Sequence, residues 1–417
     1  MKIAFVSQPL DGVLPPNQNS IGIWIHGVAN PLSKSHDVIV YSRRGRLEPK
    51  LPENGKVTYR FLYSLPNRII FRLNNRLSKY RNVRRPFFAS NLCYFEYGTQ
   101  AALDLRAQQC DIVNLFNFTQ FIPIIRRFNP NIKIVLRMSC EWLTQLDPKM
   151  IERRLDKVDL VIGCSDFITN SIREAFPQYA SRCHTIHNGR DVEFFTAVEE
   201  PTSGHNNKAK KLLFVGRVSP EKGVHILLKA FQEVVKQQPE AKLDIVGSVQ
   251  QLEHGFLVAL SNNDNVTALD KYYQGTSNTS YFSYLKNLVD SLGMASKVRF
   301  IGQLPHTELL RYYREAAIFI FPSIWDEPSG NPPIEAMAVG VPVISTNTGG
   351  TSEYVKHGET GLLVEPGDTS GLVKAILKLL ENDELRESMS RAGRKRAVEY
   401  FSYQQLVESL LDSYSKL

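Results

Sequence analysis

The sequence is poor in cysteine. Its five cysteines, at 93, 110, 140, 164 and 183, are odd in number and far apart, and none forms Cys-x-x-Cys. That argues against a disulfide framework or a cysteine-based zinc site and suits a reducing, cytoplasmic compartment. Long apolar runs are missing too: none approaches the roughly 18 residues that would span a membrane. The apolar run Ile3–Val6 is too short for a signal peptide and reads as a first strand. No Gly-x-Gly-x-x-Gly follows a strand-like run, which speaks against a nicotinamide dinucleotide enzyme, and a Walker-type Gly-x4-Gly-Lys-Ser/Thr is absent. No Asp-x-Asp metal motif lies near a candidate site, so no metal is expected.

What is present begins with length. At about 100–200 residues per domain, 417 residues suggest two or three domains. The net charge is +8, and the excess is local. Between Arg43 and Arg85 thirteen basic residues face two acids, Glu48 and Glu53. A solvated basic face is one reading. The other is a surface for anionic lipid or an anionic acceptor. Ile69, Ile70, Phe71, Leu73, Leu77 and Tyr80 interleave with Arg68, Arg72, Arg76, Lys79 and Arg81, the pattern of a basic amphipathic helix. Residues 68–85 are therefore a candidate membrane-surface contact. No nucleic-acid recognition motif accompanies the charge.

Short apolar runs alternate with helical patterns along the whole chain. Ile3–Val6, Val38–Tyr41, Ile112–Leu115, Ile132–Leu136 and Leu160–Gly163 read as buried strands, and so do Leu212–Val215, Lys242–Val246, Val298–Ile301, Ile318–Phe321 and Val343–Ile344. Such alternation predicts α/β architecture with parallel sheets covered on both faces. The pattern occurs twice, which divides the chain into 1–195, a polar linker at 196–211 and a second domain at 212–399. The tail beyond 400 reads as a helix with Leu406, Leu410 and Leu411 on one stripe. Residues 247–286, rich in Ser, Asn, Gly and Tyr, read as a long loop, either decoration or a lid.

Three segments carry chemistry. The first leaves the strand-like run at Gly216 and holds Arg217 and Lys222 in a turn before a helix. Ligands of open parallel sheets bind at carboxyl ends of strands, and a forked guanidinium beside a mobile ammonium suits a diphosphate. A pair of solvated loop charges is the plainer reading. The second follows Phe321 and contains Glu327, Gly330, Asn331, Pro332, Pro333 and Glu335. The prolines mark a helix start, placing Glu335 in the first turn, where it is either a helix-dipole acid or an acceptor for vicinal sugar hydroxyls. The N–H groups of Gly330 and Asn331 would face a phosphate. The third contains Gly349 and Gly350, which permit close backbone approach to a ligand, and Glu353.

From Phe214 to Asp368 the chain resembles the donor domain of retaining family 4 glycosyltransferases of the GT-B fold. The likeness rests on Arg217 and Lys222, the Glu327-x7-Glu335 pair, the Pro-Pro-x-Glu-Ala-Met-Ala helix start, the Gly349-Gly350 loop and the Thr360–Asp368 segment. It implies GT-B architecture: two Rossmann-like domains facing a central cleft, with the 400–417 helix packing back on the first. It implies that Arg217 and Lys222 hold the diphosphate, that Glu327 contacts the transferred sugar and that Glu335 contacts the ribose. Gly216, Gly330, Asn331, Pro332, Gly349 and Gly350 would line the donor, as would Gly22, the match to the family's first glycine-rich loop. Asn188-Gly189-Arg190-Asp191 matches its Asn-Gly-x-Asp hinge. The first half departs from the pattern, because no histidine occupies the usual positions after the fourth and fifth strands. Asn117 and Glu141 are the acceptor-side candidates there, with His26 and His187 behind them.

The expected function is retaining, metal-independent transfer of a hexose from a UDP-sugar, UDP-glucose first and GDP-mannose next, to a hydroxyl of a saccharide or lipid-linked saccharide. Envelope or exopolysaccharide assembly at the inner membrane face fits the basic stretch. No cofactor is expected beyond the nucleotide-sugar co-substrate. A nucleotide-sugar 2-epimerase or hydrolase, and a non-catalytic nucleotide-sugar-binding scaffold, are the alternatives. An epimerase interconverts free nucleotide sugars, a transferase releases nucleotide, and a scaffold does neither.

Overall fold

A computed structural model describes residues 1–10, 12–15, 18–45, 55–64, 83–196, 210–250, 254, 257–273 and 280–417. The expected amphipathic helix at 68–81 and most of the expected linker, 197–209, lie outside the described residues. The chain forms two compact units, Met1–Gly189 with Tyr403–Leu417, and Arg190–Ser402.

The first unit is built on seven parallel strands: β1 (Lys2–Val6), β2 (Asp37–Arg43), β3 (Thr58–Leu62), β4 (Ile112–Phe116), β5 (Lys133–Met138), β6 (Leu160–Gly163) and β7 (Cys183–Thr185). Their order is β3-β2-β1-β4-β5-β6-β7, with registers such as Ile3↔Val38 and Ile3↔Ile112. β4 and β6 are buried along their whole length, which is why their sequences are nearly continuous apolar runs. Helix α1 (Ser20–Leu32) starts where the Asn19 side chain accepts from Gly22 N, a side-chain cap for an otherwise orphaned N–H. The C-terminal helix, Tyr403–Ser415, lies against α1 and buries Leu406, Val407, Leu410 and Tyr414 in this unit's core. Tyr414 Oη donates to Asn114 Oδ1 at 2.7 Å.

The second unit has six parallel strands: β8 (Lys211–Val215), β9 (Lys242–Val246), β10 (Val298–Gly302), β11 (Ile318–Phe321), β12 (Val343–Thr346) and β13 (Gly361–Val364). Their order is β10-β9-β8-β11-β12-β13. The chain winds outward from β8 to β10 on one side, then returns to the middle at β11 and winds the other way. β8 and β11 are therefore neighbours, registered Ile318↔Leu212. That is the topological switch point, where the loops leaving two adjacent strands diverge and open a crevice. The second unit begins at Arg190, ahead of both the expected linker at 196–211 and the expected domain start at 212. The reason is α2 (Val192–Thr196), whose Val192 and Phe195 are buried in the second unit's core. The other helices used below are α3 (Val224–Gln237), α4 (Ser280–Ser291), α5 (His306–Glu315) and α6 (Asn331–Val339).

Part of the segment expected as a loop, 247–286, is packed helical turns. Val258 and Leu269 bury against Ile324, with Tyr272 and Tyr273 at the margin, and α4 begins at Ser280. Tyr residues that read as polar loop decoration are apolar packing: Tyr281 is buried, its ring edge-on to Tyr272. Residues 251–253, 255–256 and 274–279 of this segment lie outside the described residues. Among the described residues no helix is long and apolar enough to cross a membrane. None of the five cysteines forms a disulfide.

Candidate functional site

The loops leaving β8 and β11 touch backbone to backbone. Gly223 has φ +70°, and a Cβ there would lie 1.9 Å from Pro322 O, so only glycine permits the approach. Ile324 N donates to Glu221 O at 2.8 Å, and Ser323 Oγ lies 3.3 Å from the same oxygen. This seam brings two residues 105 positions apart together: Lys222 Nζ lies 2.5 Å from Glu327 Oε2. Both side chains are about nine-tenths buried. Ser323 Oγ (3.0 Å) and Trp325 Nε1 (2.8 Å) donate to the same Oε2, and Lys222 Nζ stands 5.0 Å from the Trp325 ring centroid, within cation–π range. Three donors thus converge on one carboxylate oxygen and fix its rotamer, while Oε1 has no hydrogen-bond partner among the described residues.

Arg217 does not join this pair. Its Nη2 donates to Glu221 Oε1 at 2.9 Å, as does Ser219 Oγ at 2.6 Å. Glu221 is fully buried, whereas a third of the Arg217 side chain remains open. A buried carboxylate requires a compensating charge, so Glu221 holds one edge of the guanidinium and leaves the rest free to meet an anion.

Glu335 lies elsewhere in the helix than expected. α6 starts at Asn331, with Gly330 as its cap and Pro332 and Pro333 within its first turn. Glu335 is therefore the fifth residue, beyond the first turn, and the helix-dipole role does not apply. Its charge is met by side chains instead: Arg190 Nε lies 3.0 Å from Oε1, and Tyr313 Oη donates to Oε2 at 3.0 Å. His306 Nε2 is 3.9 Å from Oε1. Burial and the neighbouring carboxylate push the Tyr313 phenol well above its ordinary value.

The glycine pair after β12 serves the Glu327 loop. Gly349 has φ +53°, and a Cβ there would meet Glu327 O at 2.4 Å and Glu327 N at 2.6 Å. Gly350 N donates to Glu327 O at 2.8 Å. Thr348 Oγ1 donates to Trp325 O and contacts Asp326 Oδ1, and Asn263 Nδ2 donates to Asp326 Oδ2 at 2.7 Å. The close approach expected at these glycines is made to the backbone that carries Glu327. Gly216 and Gly247 meet in the same way at the ends of β8 and β9, where a Cβ on Gly247 would lie 1.7 Å from Gly216 O.

The first-unit candidates lie at the ends of strands and helices of that unit. Gly22 sits beneath Gly12, whose oxygen would be 2.5 Å from a Cβ at 22. Asn117 adopts φ +57° after β4, and its Oδ1 accepts from Ser139 N at 2.7 Å, linking the ends of β4 and β5. Glu141 opens a short helical turn, its carbonyl accepting from Thr144 and Gln145 N. His26 bonds Tyr59 Oη at 3.0 Å, and burial lowers its pKa. His187 is half-buried just beyond β7. Sequence reasoning missed Ser323, Trp325, Glu221, Arg190 and Tyr313 as partners of the site. Alternation at 323, 325 and 327 in an extended loop was the available signal for the first two.

Residues 21–194 match the model of Glycosyltransferase Family 4, and residues 196–396 match that of glycosyl transferases group 1. The two matches run end to end over most of the chain and make it a glycosyltransferase, and its two parallel-sheet units are those of the GT-B fold. It is 25% identical to spore coat protein SA of Bacillus subtilis over 432 aligned residues, covering all of both chains. It is 30% identical to the capsular polysaccharide biosynthesis glycosyltransferase CapM of Staphylococcus aureus over 205 residues, 48% of this chain and 45% of CapM. Among solved structures it superposes on Anabaena HepE in complex with UDP-glucose, with TM-score 0.68, 18% identity and full coverage of both chains; that likeness shows the fold.

Proposed function

We propose that the protein transfers a hexose from a UDP-sugar, UDP-glucose first, to a hydroxyl of a saccharide or lipid-linked saccharide, with retention at the anomeric carbon and without a metal ion. The observation that carries this reading is the Lys222–Glu327 pair at the β8/β11 switch point. A glycosyl diphosphate presents an anion and a polyhydroxylated ring on either side of one bond. A cation beside a fixed carboxylate matches both.

In this reading Lys222 and the open edge of Arg217 bind the diphosphate, Glu327 Oε1 accepts from a hydroxyl of the transferred sugar, and Glu335 accepts from the ribose. Breaking the C1–O bond builds negative charge on the leaving phosphate and positive charge on the ring. Preorganised Lys222 and Arg217 stabilise that phosphate more in the transition state than in the ground state. The acceptor hydroxyl attacks C1 from the face the diphosphate leaves, and a departing phosphate oxygen takes its proton. Glu327, held by three donors, lies beside the ring and favours its developing positive charge. The uridine choice follows the UDP-glucose bound by HepE, and a saccharide acceptor follows the capsular role in CapM's name. The basic residues between 43 and 85 favour an acceptor at an anionic membrane surface.

Nucleotide release from a panel of UDP-, GDP- and ADP-sugars, with and without EDTA and with Lys222→Ala as control, tests the reading. The expected result is release from a UDP-hexose, unchanged by EDTA and lowered about 100-fold or more in the variant. Release that needs added metal, or that continues at the wild-type rate in Lys222→Ala, overturns it. Interconversion of free nucleotide sugars without release points to an epimerase. Flotation with anionic liposomes tests the membrane component, and a protein that stays at the bottom of the gradient removes it.

A further inference from the structure

Arg190 is the first residue of the second unit, and its main chain is pinned. Its N–H donates to Phe401 O at 2.7 Å, and Arg190 pairs as a bridge with Ser402. The chain passes between the two units at 189/190 and again at 402/403, so Arg190 sits where both crossings lie side by side. From that anchor its side chain, almost wholly buried, reaches Glu335 with Nε 3.0 Å from Oε1. On the other side Tyr313, fully buried and stacked edge-on with Phe195, donates to Oε2.

A carboxylate offers about four acceptor positions, two on each oxygen. Tyr313 takes one on Oε2. Arg190 Nε lies 3.0 Å from Oε1 as an ion pair, out of hydrogen-bond alignment, and His306 at 3.9 Å is beyond hydrogen-bond reach. Each oxygen keeps at least one acceptor position, and a vicinal diol uses two. Arg190 on one oxygen and Tyr313 on the other hold the carboxylate, and Arg190 supplies the countercharge that a buried carboxylate requires. From this arrangement we infer that Arg190, with Tyr313, is the positioning residue that aims Glu335 at the vicinal hydroxyls of the donor's ribose, and so sets discrimination between ribonucleotide and deoxyribonucleotide. Neither residue touches the donor; each acts through Glu335. The inference rests on the reading of Glu335 as a donor contact, and the test separates the two.

The measurement is calorimetric binding of UDP, 2′-deoxy-UDP and 3′-deoxy-UDP to the full chain, with GDP and ADP and their deoxy analogues as parallel series. Wild type is expected to bind the ribonucleotide roughly tenfold or more tightly than the deoxy analogue that lacks the bonded hydroxyl, the scale of one hydrogen bond to a charged group. Glu335→Gln is expected to bring that ratio near one. Arg190→Met and Tyr313→Phe are expected to shrink it severalfold, while affinity for the deoxy analogue itself changes little. Arg190→Lys keeps the charge but not the planar fork and is expected to recover part of the ratio. A merely structural role would weaken both nucleotides together and leave the ratio alone. If Arg190→Met fails to fold, Tyr313→Phe and Arg190→Lys carry the test. A ratio that falls in Glu335→Gln but stays at the wild-type value in the others overturns the inference and keeps the reading. A ratio untouched by Glu335→Gln, or no diphosphate binding by wild type, overturns both.

Discussion

Lys222→Met separates what the buried pair does for the fold from what it does for chemistry. Lys222 Nζ and Glu327 Oε2 are 2.5 Å apart with side chains 10% and 9% exposed. At that separation and an effective dielectric near 20, the Coulomb attraction is roughly 6–7 kcal/mol, much of it offset by the cost of desolvating two ions. Removing one partner of such a pair costs about 3–5 kcal/mol, because the other charge is stranded. Ser323 and Trp325 still donate to the stranded oxygen, so the expected loss lies at the low end, about 3 kcal/mol. Adding Glu327→Gln removes the stranded charge and keeps an acceptor oxygen, and the double variant is expected to regain about 2 kcal/mol of that loss. Turnover follows a different rule. On the proposed placement of Lys222 at the diphosphate, losing that charge is expected to lower turnover about 100-fold or more, and the second substitution to restore none of it. Urea unfolding and nucleotide release on the two single variants, the double variant and wild type complete the cycle. A double variant no more stable than Lys222→Met refutes the energetic account of the pair. Wild-type turnover in Lys222→Met refutes the assignment of Lys222 to the diphosphate.

Gly349→Ala puts a Cβ within 2.6 Å of the Glu327 backbone at a positive φ, so a loss of about 1–3 kcal/mol is expected. Slower nucleotide release should accompany it, since the loop that moves bears Glu327; unchanged kinetics would sever that link. His225, near the start of α3, is bonded to Tyr281 Oη and lies beside Tyr272. Burial, then Lys229 and Lys271, lower its pKa from 6.5 to about 3. The unfolded chain therefore binds one more proton between those values, so the stabilisation is complete above pH 6.5 and is lost as pH falls. By pH 5 the loss is about 2 kcal/mol. His225→Leu should flatten the change in urea midpoint between pH 7 and pH 5, and equal slopes in the two proteins would disprove it. Tyr414→Phe deprives buried Asn114 of its donor and is expected to cost about 1–2 kcal/mol while leaving release kinetics unaltered. A kinetic defect there would mean that the C-terminal helix does more than close the first unit's core.

The ten apolar runs read from sequence all fall on strands, and the three strands not read, β3, β7 and β13, all lie at sheet edges. An edge strand is covered on fewer sides, so it does not need an unbroken apolar run: β3 alternates exposed and half-buried positions, and β7 buries only Cys183. Central strands are apolar because both faces and both flanks are occupied. The 257–273 segment was illegible for a related reason. Its tyrosines pack with Ile324 and His225, and composition alone does not tell a buried tyrosine from an exposed one.

The sequence by itself determined the double α/β pattern, the family likeness and the identity of Arg217, Lys222, Glu327 and Glu335, because motif glycines, prolines and charges are local in the chain. Only the tertiary structure decided how those residues are partnered. Lys222 meets Glu327 because β8 and β11 lie side by side at the switch point, a consequence of strand order and not of any nearby residue. Glu335 meets Arg190, 145 positions away, because the crossing segment and α6 share one core. Gly349 faces Glu327 because the loops after β11 and β12 emerge from adjacent strands. Pairings of this kind depend on which strands lie side by side, whether 22 or 145 residues separate the partners, and local pattern carries no information about strand order.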